Sequence, residues 1–379
     1  MDWIILPPMF GSAFLDIVFY ISAGALLIQL LYWLLVYLRV WTHRYPEPDD
    51  ADAATPVSVV IAARNEADQL QELIPLLYEQ DHPDFEVVVV NDRSWDNSKE
   101  VLKALVARYP ELHVVEVEEN RFNQRSGKKF AITLGIKGAR EEHLVFTDAD
   151  CRPQHPQWLR HMSGGFERGH ELVIGYSPEK GGGILSRFDS AITGMHYLGF
   201  ALAGVPYMGV GRNLGYSSEL FFESGGFKSH YSLPSGDDDL FVNQAVRFAR
   251  PAVVIHPESF VSTGAPSGVG GWWRRKRRHV TTSARYRLIH KLLLITYPIS
   301  ALLWLLSGIL LMLHAETLWF GVGILGLRAL VQTVVMWGVF RRLGWKHLGL
   351  PGVLLEPLWY ALMACVHVSN RIVKPTAWK

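Results

Sequence analysis

From Ile17 to Leu38 the chain carries no charged residue, and twenty-two such positions, wound as a helix, cross a hydrocarbon core of about 30 Å. This feature excludes a wholly water-surrounded fold. Residues 1–12 hold no Lys or Arg, whereas a cleaved secretory signal starts with a basic stretch, so the span at about 14–38 is expected to stay as the anchor of an N-terminal region, 1–45. Arg39 and Arg44 follow it, which places the chain beyond them in the cytoplasm and residues 1–12 outside; Trp33, Tyr37 and Trp41 suit the interface at that end. Two further apolar runs, 292–313 and 317–340, flank a loop with His314 and Glu316 and end at Arg341, Arg342 and Lys346. Residues 353–369 are apolar but shorter and contain Glu356 and Pro357. Full crossing there would leave Arg371, Lys374 and Lys379 outside, so this part of the C-terminal membrane region, 291–379, reads as short, re-entrant or interfacial.

Between the anchors the pattern changes. Residues 45–55 mix Pro, acid and Ala without periodicity and read as a linker. From Pro56, apolar strands at 57–63, 85–90, 112–117 and 144–147 alternate with helical spacing at 66–80, 98–108 and 128–139, an order that builds a parallel sheet covered by helices. Such sheets bind nucleotides at their strand C-termini. A formal net charge of +1, with 19% charged residues, gives the chain no nucleic-acid-binding character as a whole. Its two cysteines, Cys151 and Cys365, lie in unlike surroundings and suggest neither a disulfide framework nor a zinc site.

Polar residues collect at the ends of those strands: Arg64, Asn65 and Glu66 after the first, Asn91 and Asp92 after the second, Asp148 and Asp150 after the fourth, with Lys128 at a helix start. On an extended chain residues i and i+2 share a face, so Asp148 and Asp150 can converge on a hard divalent cation that itself holds phosphate. Singly, each residue has a plainer use. Glu66 and Asp68 suit the first turn of a helix, Asp92 and Asp96 suit turns, and a lysine is commonly solvated.

The set AARNEADQL, VVVVNDRSWDNS, SGKKFAITLGIKGA and VFTDAD, in this order, resembles the nucleotide-binding part of the family 2 glycosyltransferases over about residues 56–290. The resemblance implies an α/β GT-A fold, a Rossmann-like mixed-sheet domain in the cytoplasm flanked by transmembrane helices. Residues 56–150 would hold a nucleotide-sugar donor and 151–290 the acceptor. It implies that Glu66 and Asp92 contact the base and ribose, that Lys128 lies near the same pocket, and that Asp148 and Asp150 are a DxD motif for Mn2+ or Mg2+. A departing nucleoside diphosphate gathers negative charge, which a divalent cation stabilises.

Two later stretches carry chemistry. Asp237, Asp238 and Asp239 stand at a loop-to-helix junction, where acids also suit the helix dipole. An inverting transfer needs a general base, which the family places in a Glu-Asp pair with Leu three residues on; counting back from Leu240 gives Asp237, with Gly236 in the Glu position and Asp238 as the reserve. Residues 271–287 set seven Lys or Arg residues behind Trp272 and Trp273, a composition that also suits anionic lipid headgroups. The family's Gln-x-x-Arg-Trp motif fits Arg275 to His279 with two substitutions and Arg278 unaltered, which makes Arg275 and Arg278 diphosphate ligands by resemblance. The stripe Ile184, Leu185, Phe188, Ile192 and Met195 has helical spacing and suits core packing.

These readings lead to a membrane-bound, metal-dependent inverting glycosyltransferase, a multi-pass protein of a bacterial plasma (inner) membrane. Its partners would be a nucleotide-sugar donor and a lipid, lipid-linked glycan or polysaccharide acceptor, with no nucleic acid. The alternative is a catalytically inactive membrane scaffold that keeps the fold.

Overall fold

The computed structural model describes residues 9–45, 54–118, 127–233 and 235–373. Expectations for residues 1–8, for most of the linker, and for Lys374 and Lys379 fall outside them. The chain divides into two compact units, Met1–Thr42 with Arg287–Tyr360, and His43–Tyr286 with Ala361–Lys379.

In the first unit, Ala13–Leu31 (α1) continues through a π turn, Tyr32–Tyr37, into Leu38–Thr42 (α2). The second unit opens the α/β alternation with Val57–Ala63 (β1), Ala67–Tyr78 (α3), Phe85–Asp92 (β2), Ser98–Arg108 (α4), Leu112–Val117 (β3), Lys128–Gly138 (α5) and His143–Phe146 (β4). β1 is β-branched and buried on both faces; α3 turns Leu70, Leu73, Ile74 and Leu77 onto it, all fully buried. β1, β2, β3 and β4 pair in parallel, as their alternation with helices requires.

Beyond β4 come Cys151–Pro153 (β5), Trp158–Glu167 (α6), Leu172–Gly175 (β6), Glu179–Lys180 (β7), Ile184–Leu202 (α7), Leu214–Ser217 (β8), Ser218–Glu223 (α8), Asp239–Ala245 (α9), Pro251–Val254 (β9), Val261–Gly264 (β10) and Gly268–Val280 (α10). The large sheet has the order β3-β2-β1-β4-β8-β6-β9, and β8 runs antiparallel to both neighbours, so the sheet is mixed. Gly215 permits this insertion: a Cβ there would lie 2.9 Å from the Phe166 ring and 3.2 Å from the Leu144 carbonyl. A second sheet, β5-β10-β7, stands beside the acidic motif. In α7, Phe188, Ile192 and Met195 are buried core residues while Ile184 is exposed.

The first unit closes with Leu288–Met312 (α11), Leu318–Arg342 (α12) and the start of Gly349–Ile372 (α13). Among the described residues, four helices, Ala13–Thr42, Leu288–Met312, Leu318–Arg342 and Gly352–Ile372, are long and apolar enough to cross a membrane, by length and composition only. The segment at 353–369, whose extent the sequence left open, is part of one continuous helix despite Pro357. Arg328 and Glu356 are almost fully buried in this unit and meet at 2.8 Å; Gln332 Nε2 donates to the same carboxylate at 2.8 Å, Gln29 accepts from Arg328, and the guanidinium lies 4.5 Å from the Trp304 ring centre. Removing one partner leaves an uncompensated buried charge, so Glu356→Ala is expected to lower stability by about 3–5 kcal/mol. The double replacement of Arg328 and Glu356 by Met should lie closer to wild type. Thermal unfolding in detergent reads both, and an unchanged midpoint for the single variant would remove the pair from any account of stability.

Candidate active site

The site is built on the C-terminal edge of the parallel strands. Among the described residues, the non-glycine residues with positive φ are Asn65 (56°) and Arg93 (54°), each at the turn that leaves β1 or β2. The two turns are tied together: Ser94 Oγ accepts from the Asn65 N–H at 2.9 Å, and the Trp95 N–H donates to Asn65 Oδ1 at 2.9 Å. Asp96 accepts from the Ala67 N–H at 3.1 Å, and Ser98 Oγ accepts from the Glu66 N–H at 3.2 Å, so the second turn also fixes the start of α3, where Glu66 sits. Arg64 stacks 5.2 Å from the ring of Trp95, which is exposed.

Buried polar groups almost always find partners, yet Arg64 Nε, Asn91 Oδ1, Asp92 Oδ2 and Thr147 Oγ1 have none among the described residues. All four belong to residues at or just beyond the ends of β1, β2 and β4. Asp92 is fully buried; its other oxygen accepts from Arg93 Nε at 2.8 Å. Orphaned donors and acceptors gathered on one sheet edge are what a polar ligand satisfies.

At the end of β4, Asp148 meets Lys128, the first residue of α5, at 2.7 Å, and the same ammonium lies 2.9 Å from Asp237. Burial opposes the charge on Lys128, but Asp148 and then Asp237 outweigh it and hold the ammonium firmly protonated. Burial likewise works against the Asp237 carboxylate, and Lys128 more than reverses it, so Asp237 is held below the usual carboxylate range. Thus an acid from β4 and one from the approach to α9, 89 positions apart (237 less 148), converge on one cation.

The three neighbouring acids divide their work. Asp238 accepts from the Gly211 N–H at 3.0 Å and from the Asp239 N–H at 2.7 Å, a loop tie and helix cap; burial and the adjacent Asp237 raise its pKa. Asp239 is enclosed by the hydroxyls of Thr282 and Tyr286, the latter at 2.7 Å; burial first, and then Asp238, push it up to about 7. Gly236 cannot be the glutamate of the family pattern, since φ is 101° and a Cβ would lie 2.7 Å from Leu240 Cδ1.

Asp150 is exposed and accepts from Thr263 Oγ1 at 3.3 Å, across the β5–β10 pair. Ligand atoms of Asp148, Asp150 and Cys151 lie within 4.8 Å of one another. Burial, reinforced by Asp148 and Asp150, keeps the Cys151 thiol protonated, which leaves two carboxylates as the donors. A pair of carboxylate oxygens suits a hard divalent cation, which would share Asp148 with the Lys128 ammonium 2.7 Å away.

Residues outside the motifs complete the surroundings. Lys129 donates to the carbonyls of Leu233 and Ser235, both at 2.6 Å, and so holds the loop that delivers Asp237. Arg212 Nε donates to Ser177 Oγ at 2.7 Å; Glu179 takes Arg212 at 3.5 Å and Arg275 at 3.4 Å. Arg275 is therefore tied to β7. Arg278 lies three residues further along α10, which Lys276 fastens to Asp189 of α7 at 2.7 Å. Lys129 and Arg212 had no recognisable signal in the sequence: one adjoins a more conspicuous lysine and the other stands alone in a loop.

The sequence profile of Glycosyl transferase family 2 matches residues 58–221, from β1 through α8. Residues 58–221 thus form a glycosyl transferase family 2 domain. Glycosyltransferase AglE of Haloferax volcanii is 33% identical over 140 residues, 35% of this chain and 44% of that protein. The undecaprenyl-phosphate 4-deoxy-4-formamido-L-arabinose transferase of Yersinia enterocolitica is 30% identical over 131 residues, 33% of this chain and 37% of its own. The chain thus matches less than half the length of these curated relatives. Mannosyltransferase PcManGT from Pyrobaculum calidifontis, solved with GDP-Man and Mn2+, superposes with a TM-score of 0.56 at 19% identity, covering 91% of this chain and 99% of that one, a likeness of fold. The α/β domain accordingly has the GT-A architecture.

Proposed function

We propose that this chain is an inverting glycosyltransferase that moves a sugar from a nucleoside diphosphate sugar to a hydroxyl of a lipid or lipid-linked acceptor at a membrane face. The observation that carries this reading is the shared ammonium: Lys128 lies 2.7 Å from Asp148 and 2.9 Å from Asp237, so the DxD acid and the base candidate face one point. Asp92 and Arg64, with orphaned polar atoms at the strand ends, receive the nucleoside, and Glu66 lies on the same edge. Asp148 and Asp150 would hold Mg2+ or Mn2+, which when bound supplies Lewis-acid stabilisation of the diphosphate leaving group. Arg278 and, once released from Glu179, Arg275 contribute planar donors to the same phosphates.

Asp237, kept ionised by Lys128, accepts the proton of the acceptor hydroxyl as that oxygen attacks the anomeric carbon from the face opposite the diphosphate. The proton then rests on Asp237, and the sugar inverts because one displacement occurs. The helices able to cross a membrane, among the described residues, support a lipid-type acceptor.

The test is transfer of labelled sugar from a panel of nucleotide sugars into the organic phase by the purified chain with lipid extract and Mn2+ or Mg2+. Product of inverted anomeric configuration is expected for one donor. Neither transfer nor donor hydrolysis from any nucleotide sugar would overturn the enzyme reading and leave the scaffold.

A further inference from the structure

We propose that His161, His256 and Glu258 form a zinc site, oriented by His155, that fastens α6 to the turn ahead of β10. The residues come from two segments. His155 and His161 lie before and within α6, while His256 and Glu258 belong to the 3-10 turn Pro257–Ser259 and its cap, between β9 and β10. One carboxylate gathers them: Glu258 Oε2 lies 3.3 Å from His161 Nε2 and 3.8 Å from His256 Nδ1, and Glu258 Oε1 lies 3.5 Å from His155 Nε2. The ligand atoms of His161, His256 and Glu258 all fall within 4.8 Å of one another.

These separations suit a metal as well as they suit the long hydrogen bond that joins His161 Nε2 to Glu258 Oε2. A tetrahedral zinc with nitrogen and oxygen ligands at about 2.0–2.2 Å sets neighbouring ligand atoms roughly 3.3–3.6 Å apart, whereas the contacts here are long for direct bonds to a carboxylate. The His161 and His256 rings stack face to face at 4.3 Å with 29° between their planes, which gathers two imidazoles beside one acid. His256 Nδ1 also accepts from the Glu258 N–H at 3.3 Å, a long bond that the metal would replace. His155 Nδ1 accepts from the Gln157 N–H at 3.2 Å, which directs its Nε2 toward Glu258 and makes it an orienting partner or fourth ligand.

His161 is buried, whereas Glu258 and His256 are partly exposed, so the cluster has one fixed wall and one side open to solution for loading. Two imidazoles and a carboxylate select zinc over Mg2+ or Mn2+, in contrast with the all-oxygen pair at Asp148 and Asp150. The consequence reaches that pair. The turn leads directly into β10, whose Thr263 holds Asp150, so closing the turn onto α6 fixes the strand that orients the acidic motif. Neither cysteine takes part.

The experiment measures zinc in the tag-free full chain in detergent, by elemental analysis after dialysis against buffered free zinc and by the thermal shift that zinc produces. One zinc per chain and a midpoint raised by several degrees are expected. His256→Ala, at a partly exposed position, should lose tenfold or more in zinc affinity together with the shift; Glu258→Gln checks the same loss without truncation, should His161→Ala fail to fold. Asp148→Asn should keep the zinc. A wild-type chain without zinc at micromolar free metal, full retention by His256→Ala and Glu258→Gln, or loss on Asp148→Asn instead would each overturn the assignment.

Discussion

Asp237→Asn is expected to lower turnover by about 10²- to 10⁴-fold while changing donor affinity no more than a few fold, because a general base acts on the acceptor hydroxyl and adds little to donor binding. The structure separates the three acids that the sequence presents together. Asp238 is engaged by two backbone N–H groups and Asp239 by two hydroxyls, so Asp237 is the acid of the triplet that faces a cation shared with Asp148. Asp238→Asn keeps an oxygen for the Gly211 N–H and should be milder. The pH profile gives an independent reading: since Lys128 holds Asp237 below the usual carboxylate range, Lys128→Met must raise its pKa and move the acid limb of kcat/KM to higher pH. Turnover, donor affinity and this limb are measured together. Full activity of Asp237→Asn sinks the base assignment, and loss confined to Asp238→Asn moves it by one residue.

The parallel half of the fold was legible because each strand and helix there carries its own periodicity: Val57–Ala63, Ala67–Tyr78, Phe85–Asp92, Ser98–Arg108 and Lys128–Gly138 lie within a few residues of the expected bounds. The other half was not, for physical reasons. β8 is four residues with a glycine in its centre, β7 is two, and β5 and β10 acquire strand character by pairing with one another across more than a hundred positions. Local propensity says little about such segments, since tertiary pairing decides them. The candidate site divides in the same way. Acids at strand ends announce themselves by position, whereas Lys129, Arg212 and the histidines around Glu258 depend on loops brought together by the second sheet. Arg328 and Glu356 were hidden differently: each is a single charge in an apolar run, and their pairing needs the helices packed.

Removing the divalent cation, or substituting Asp148 or Asp150 by Ala, is expected to weaken donor binding as well as turnover, which distinguishes this loss from that of Asp237→Asn. A bound cation contributes several kcal/mol to the charge that develops on the leaving diphosphate, and at 1.36 kcal/mol per tenfold this is a loss of roughly 10²- to 10⁴-fold in turnover. The two variants should differ. Asp148 is the carboxylate already facing Lys128 at 2.7 Å, so its loss also frees that ammonium to pair with Asp237 alone and should cost the base its shared geometry. Asp150 is exposed and held by Thr263, so Asp150→Ala should mainly raise the Mn2+ concentration needed for half-maximal rate and recover part of its turnover at excess metal. Titrating Mn2+ against rate and donor affinity for both variants, beside EDTA-treated wild type, reads these effects. Donor binding and transfer unchanged by EDTA would remove the metal from the reaction and leave Lys128, Arg275 and Arg278 as the cations proposed to meet the diphosphate.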